Sequence, residues 1–219
     1  MSAMTSERPF LPAAGRDLFL PAYDPLTKLF GFDGVRRQLL DQASLQAHHR
    51  VLDVGCGTGT LAVLIKRRYP SVDVVALDPD VKALERAHRK AERARVTIQF
   101  DRGFADALDY DDATFDRVFS SMMFHHLTSG EKAGALTAIR RVLKPGGRLE
   151  FLDFARPDSH GHGLFTRLVH SHRQLRDNSE TRIADLMTRA GLVGVKKIGG
   201  RATVFGAVAF YQASAPAAP

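Results

Sequence analysis

The chain has 219 residues, 44% hydrophobic and 25% charged, the balance of a folded globular domain rather than a disordered or fibrous chain. Its one cysteine excludes an internal disulfide and a cysteine-rich zinc or iron–sulfur site, and no run reaches the ~20 apolar residues of a membrane-spanning helix. The 31 Lys and Arg against 24 Asp and Glu leave a net charge of +7. That charge is scattered, its longest pure run being Lys66-Arg67-Arg68, which excludes a specific nucleic-acid partner and leaves peripheral contact with an anionic membrane as its one directed use.

Along the chain, Pro9, Pro12, Pro21 and Pro25 break any regular element in the first thirty residues. The start lacks the basic residues and apolar core of a secretory signal, so a reducing, cytoplasmic setting is expected. An apolar stripe of Val35, Leu39, Leu40, Ala43 and Leu45 predicts a helix to about residue 46. Residues 1–46 then form an arm and lid helix, 47–212 the main domain, and 213–219 a frayed tail.

The short apolar run at 50–54 ends in glycines and predicts a buried strand. Helix 60–68, strand 72–77, helix 80–93 capped by Asp80, and strands 96–100 and 115–121 follow. Thr128 or Ser129 starts a helix that Lys144-Pro145-Gly146-Gly147 stops, before a strand at 148–154. After a His- and Gly-rich stretch, a helix from Ser179 stops at Gly191, and strands 193–198 and 203–211 flank Gly199-Gly200. Repeated strand–helix alternation requires right-handed parallel crossovers, hence a doubly wound α/β sheet with helices on both faces. The last two strands are too closely joined for a crossover, so the final one runs antiparallel.

The strongest chemical signal is the strand Val51-Leu52-Asp53-Val54 running into Gly55-Cys56-Gly57-Thr58-Gly59. Glycines let the backbone approach a ligand closely, and the carboxyl end of the first strand is where open α/β sheets bind nucleotides. A dinucleotide fingerprint would place its third glycine at Thr60. Asp53, aimed at the turn, would repel pyrophosphate and suit an ammonium or sulfonium. No Gly-Lys-Ser/Thr follows, which excludes a P-loop. Asp78 ends the second strand and can accept both hydroxyls of a ribose. Asp106, after the third strand, can accept from an adenine amino group.

These motifs resemble the class I S-adenosylmethionine-dependent methyltransferases: VLDVGCGTG at 51–59, ALDPD at 76–80, ADAL at 105–108, FDRVFSSMMFHHL at 115–127 and RVLKPGGRLEFLDF at 141–154. The resemblance implies a Rossmann-like sheet of seven strands and S-adenosyl-L-methionine as cofactor. Asp53, Gly55, Cys56 and Gly57 would cradle its methionine part, Asp78 and Pro79 its ribose, Asp106 and Ala107 its adenine. Ser121 and, from the arm, Tyr23 would complete the site. The ending GRATVFGAVAFYQA is similar to the branch that includes ubiquinone/menaquinone biosynthesis C-methyltransferases. The segment MMFHHL departs from that branch.

Methyl transfer from a sulfonium is an in-line displacement, helped chiefly by holding donor and acceptor together. A general base is needed only where the acceptor must lose a proton. His125 and His126, just past the fourth strand, are the candidates, with His126 favoured on family likeness. The expected acceptor is a small organic molecule, with carbon, oxygen or nitrogen as the receiving atom. Phospholipid head-group N-methylation and an inert cofactor-binding module are the alternatives. His160, His162, His170 and His172 lack supporting carboxylates, so no metal is expected. Oligomeric state is open.

Overall fold

The computed structural model describes residues 32–154, 180–203 and 206–218. Along them run α1 (Phe32–Gln42), β1 (Arg50–Val54), α2 (Thr60–Arg68), β2 (Asp73–Asp78), α3 (Val81–Ala94), β3 (Gln99–Arg102) and β4 (Phe115–Ser121). A 3₁₀ turn (Phe124–His126), α4 (Ser129–Val142), β5 (Leu143–Phe154), α5 (Glu180–Arg189), β6 (Val193–Thr203) and β7 (Gly206–Ser214) follow. The arm before residue 32, with Tyr23, and the stretch 155–179, with its four histidines and the expected helix start at Ser179, lie outside the described residues.

The seven strands form one sheet in the order β3-β2-β1-β4-β5-β7-β6. Five strands pair in parallel, and β7 runs antiparallel between β5 and β6. This is the doubly wound sheet with an antiparallel last strand that the alternation of elements predicts. The order reverses between β1 and β4, which opens a crevice at the carboxyl ends of those two strands.

Strand periodicity sorts the apolar residues into two layers. Leu52, Val54, Val75, Leu77, Val118 and Phe151 face α4 and α5. Val51, Val74, Ala76, Phe119, Leu152 and Phe210 face α1 and α2. The inner strands are buried on both sides, as parallel sheets require. Val35, Leu39 and Leu40 of α1 are buried in the second layer, so this helix shares the core of the main domain.

Several boundaries differ from the sequence expectation, each for a local reason. Helix α1 stops at Gln42 rather than 46, because the Ala43 N–H turns back to Leu40 and Ser44 takes a left-handed φ of 48°. Strand β3 starts at Gln99 rather than 96: Arg95 is left-handed and Val96 donates to the Ala91 carbonyl at 3.1 Å, so these residues close α3. Lys144-Pro145-Gly146-Gly147 does not merely stop α4. It lies inside β5, where the pairing with β4 shifts register between Phe115 and Arg117.

The glycine pair Gly199-Gly200 is not the final turn either. Both residues pair across the ladder with Phe210 and Ala209, beside a register shift between Lys197 and Gly199. They mark an irregularity in a strand, a common use of glycine, and the ladder continues to Thr203 opposite Gly206. The tail is also more ordered than expected. Strand β7 reaches Ser214, and Ala215, 5% exposed, donates to the Gly147 carbonyl at 2.9 Å.

The helix starts follow the sequence. Asp80 caps α3 by accepting from the Lys82 and Ala83 N–H groups, and Thr128 with Glu131 forms a capping box on α4. Among the described residues no helix is long and apolar enough to cross a membrane. Replacing Thr128 by Ala is expected to cost about 1 kcal/mol of stability in urea unfolding, with cofactor affinity unchanged.

Candidate functional site

The crevice is built around the β1–α2 turn. Gly55, Gly57 and Gly59 all have left-handed φ, 71°, 52° and 73°, a conformation that side chains other than glycine's resist. The turn is held against β2 by the Gly55 and Cys56 N–H groups, both donating to the Leu77 carbonyl at 2.8 and 3.0 Å. A Cβ on Gly59 would stand 2.7 Å from the Cβ of Ala87. This glycine therefore sets the close approach of α2 and α3. Lys90 of α3 fastens the same turn, donating to Thr60 Oγ1 at 2.6 Å and to Thr58 Oγ1 at 3.0 Å.

Two carboxylates flank the turn. Asp78 Oδ2 accepts from the Gly57 N–H at 2.8 Å and Oδ1 from the Asp80 N–H at 2.9 Å. Each oxygen of a carboxylate has two acceptor positions, so this bracing leaves capacity for a ligand. Asp53 is 1% exposed and its Oδ2 has no hydrogen-bond partner. Burial, reinforced by the charge of Asp78, pushes Asp53 up to about 7 from its ordinary 3.8. Burial also raises Asp78 to about 6. The Cys56 thiol is pushed up by burial and by both carboxylates, which holds it protonated and unreactive.

The cation whose charge acts on Asp53 comes from α1. Arg36 is 6% exposed, its charge opposes the rise at Asp53, and its Nη1 has no hydrogen-bond partner. Arg36 Nη1 stands 3.6 Å from Asp33 Oδ1, one turn earlier in α1, so a buried, ion-paired guanidinium acts on a buried carboxylate that keeps a free acceptor, opposite charges suited to a zwitterionic α-amino acid. The glycine cradle and this pair fit the methionine part of S-adenosylmethionine.

Among the described residues, the other expected cofactor residues stand at the same, carboxyl end of the sheet. Pro79 follows Asp78, and its carbonyl accepts from the Arg102 Nε at 3.4 Å. Asp106 and Ala107 lie in the turn after β3. Gly134 of α4 lets that turn approach closely, since a Cβ there would stand 3.0 Å from the Cβ of Asp106. Ser121 ends β4, opposite Leu152 of β5.

The turn after β4 forms the remaining wall. Met122 adopts a left-handed φ of 58°, a conformation that tends to persist where surroundings impose it, often at functional sites. The Met123 side chain lies against Gly55, where any side chain would run into it. Next comes His125, whose backbone N–H donates to Asp153 Oδ2 at 3.1 Å while its ring Nδ1 stands 2.7 Å from Asp153 Oδ1. The His126 ring stacks at 4.1 Å from that of His125. The sequence favours His126, but the structure places the buried carboxylate against His125.

Arg36 and Asp153 escaped the sequence reading, although each left a trace. Arg36 sits four residues from Phe32 and from Leu40, on the buried stripe of α1 where a charge is out of place. Asp153 is another acid near the carboxyl end of a parallel strand, like Asp53 and Asp78. Among the described residues no group of three or more His, Cys, Asp or Glu is placed to hold a metal ion.

Comparison with known proteins agrees with this geometry. Residues 51–147 match a family model described as a methyltransferase domain. The demethylmenaquinone methyltransferase of Thermus thermophilus is 38% identical over 151 residues, covering 68% of this chain and 68% of the relative. That of Deinococcus radiodurans is 37% identical over 155 residues, covering 69% of this chain and 64% of the relative. The chain thus spans about two thirds of the length of these relatives. Among solved structures, Haemonchus contortus phosphoethanolamine N-methyltransferase 2 in complex with S-adenosyl-L-methionine superposes with a TM-score of 0.69. It is 16% identical and covers 84% of this chain and 52% of that one, a likeness of fold alone.

The fold and the acidic glycine cradle define a Rossmann-like methyltransferase, and its family uses S-adenosylmethionine as cofactor. The chain belongs to the class I S-adenosylmethionine-dependent methyltransferases, the family of the demethylmenaquinone methyltransferase it matches.

The buried acids make a prediction about pH. Asp53 keeps in the folded state, up to about pH 7, a proton that it loses near 4 in the unfolded chain. Stability of the cofactor-free protein therefore falls as pH rises through that window, and the loss is complete above it. Asp53→Asn removes the ionisation. The variant should gain on the order of 3 kcal/mol over the wild type between pH 4 and pH 8, read as the difference in urea unfolding free energies at the two pH values.

Proposed function

We propose that this protein transfers a methyl group to a ring carbon of a small, apolar hydroquinone. The observation that carries the acceptor is the 38% identity to a demethylmenaquinone methyltransferase over 68% of both chains. Methyl transfer to carbon needs an electron-rich centre. A quinone ring is electron-poor, whereas its reduced, hydroxyl-bearing form is electron-rich, so the reduced form is the reactive acceptor.

Bound S-adenosylmethionine supplies an electrophilic methyl group on a positively charged sulfur. The chain's own residues hold and orient it. Asp53 takes the α-ammonium and Arg36 the α-carboxylate. Asp78, beside Pro79, accepts from the ribose. Asp106 and Ala107 meet the adenine. The backbone of Gly55, Cys56 and Gly57 passes close beneath the methionine part, with Ser121 at the neighbouring strand tip. The partly buried Met122 and Met123 give the crevice a pliable apolar wall suited to an apolar ring.

His125, at the same wall, takes a proton from the acceptor hydroxyl as the ring carbon bonds to the methyl. The ring then loses its C–H proton as the oxygen takes its proton back from His125, and aromaticity returns. One proton is released overall, and the oxidation level of the ring is unchanged. The alternatives, head-group N-methylation and an inert binding module, predict a methylated amine or no product.

Two measurements test this reading. Incubating the protein with methyl-labelled S-adenosylmethionine and chemically reduced 1,4-naphthoquinone should give a product whose NMR spectrum places the methyl on a ring carbon. A methyl on oxygen, or no product, refutes the acceptor assignment. Arg36→Leu, which suits the apolar stripe of α1, should weaken cofactor binding in calorimetry by about 10- to 100-fold, the loss of a charged hydrogen-bonded contact.

A further inference from the structure

The wall after β4 contains a pair whose role goes beyond its two residues' exposure and position. Asp153 is 1% exposed and lies at the end of β5. It accepts three hydrogen bonds from its surroundings: the His125 backbone N–H on Oδ2 at 3.1 Å, and the His125 ring Nδ1 at 2.7 Å and the Phe154 N–H at 2.6 Å on Oδ1. One carboxylate therefore grips both the backbone and the ring of the same histidine. The ring is further confined by Phe154, edge-on at 5.0 Å, and by His126.

We propose that Asp153 is the positioning residue of the methyl transfer: it accepts the Nδ1–H of His125, fixes the neutral ring in that tautomer, and leaves Nε2 as the base. The inference rests on the methyl-transfer reading above and adds to it which histidine works and why. A carboxylate cannot donate, so a neutral His125 must place its proton on Nδ1 to keep the 2.7 Å contact. The proton from the acceptor hydroxyl then goes to Nε2, and Asp153 steadies the resulting imidazolium without taking the proton itself. The same arrangement of imidazole and buried carboxylate serves hydrolases on unrelated folds.

The turn's place in the fold connects this pair to the cofactor crevice. Met123, two residues before His125, packs on Gly55, and Met122 N–H donates to the Leu152 carbonyl at 2.8 Å, one residue before Asp153. The cradle, the histidine and the carboxylate are thus parts of one rigid corner between β1, β4 and β5. A purely structural reading would make Asp153 a tether for the turn. That reading accounts for the backbone contact but assigns no consequence to the ring contact.

The test combines spectroscopy on the wild type with kinetics on variants. In a ¹⁵N-histidine spectrum of the whole protein at pH 8, the resonance of His125, assigned by its loss in His125→Gln, should show the proton on Nδ1. A proton on Nε2 overturns the proposal without any need for a variant. With methyl-labelled S-adenosylmethionine and reduced 1,4-naphthoquinone, Asp153→Asn should lower kcat by about 10²- to 10⁴-fold, the range for a general base, with KM for both substrates within about threefold. A fall in cofactor affinity and melting temperature with kcat preserved marks Asp153 as a tether and overturns the proposal. If His125→Gln retains full kcat, His125 is not the base and the proposal is overturned; if the wild type does not methylate the probe, the function reading above fails, and the wild-type tautomer still decides the orientation by Asp153.

Discussion

The structure depends on an electrostatic tension at one corner of the sheet. Asp53 and Asp78 end neighbouring strands, point to the same face, and are both buried. Neither can be stabilised by water, and Asp78 is largely occupied in bracing the glycine turn and the start of α3. Asp53 keeps one oxygen without a partner. Such a site is costly for the folded chain alone and favourable for a cationic ligand, which supplies the missing charge. A buried, preformed carboxylate also loses little freedom on binding, so its attraction is not spent on ordering.

The rest of the fold holds that corner in place. The order β3-β2-β1-β4 puts the tips of β2, β1 and β4 side by side, and the reversal between β1 and β4 leaves the crevice open. Two hydrophobic layers clamp the sheet from opposite sides. The turn itself is tied by Lys90 from α3 and by the near-contact of Gly59 with Ala87. Even the charge opposite Asp53 comes from an element of the core: Arg36 projects from the buried side of α1. The cofactor crevice is therefore rigid by construction, and its selectivity lies in the placement of charge.

The wall after β4 serves a different purpose. Its left-handed Met122, the packing of Met123 on Gly55 and the grip of Asp153 on His125 are contacts between elements distant in sequence. Class I methyltransferases share the sheet and diverge in what surrounds it, so the chemistry of an acceptor is read from such a wall rather than from the fold. The 16% identity of the superposed Haemonchus contortus enzyme shows how far sequences separate while the sheet persists.

Local chemistry made much of this legible without coordinates. The alternation of apolar runs and capped helices specified a doubly wound sheet, and Asp80 and Thr128 stand at the helix starts where their side chains predict them. The glycine turn with Asp53 and Asp78 marked the candidate cofactor site, because left-handed turns and strand-end acids leave their mark within a few residues. The boundaries that moved did so where a residue's partner lies far along the chain. Gly199-Gly200 is a turn by composition and a strand by virtue of Phe210 and Ala209; the tail is ordered by Gly146 and Gly147. The nearness of the Arg36 charge to Asp53 and the pairing of His125 with Asp153 were likewise decided only by the tertiary structure. Sequence records what each residue can do with its neighbours in the chain, whereas a hydrogen bond formed across 28 residues exists only once packing has brought its members together.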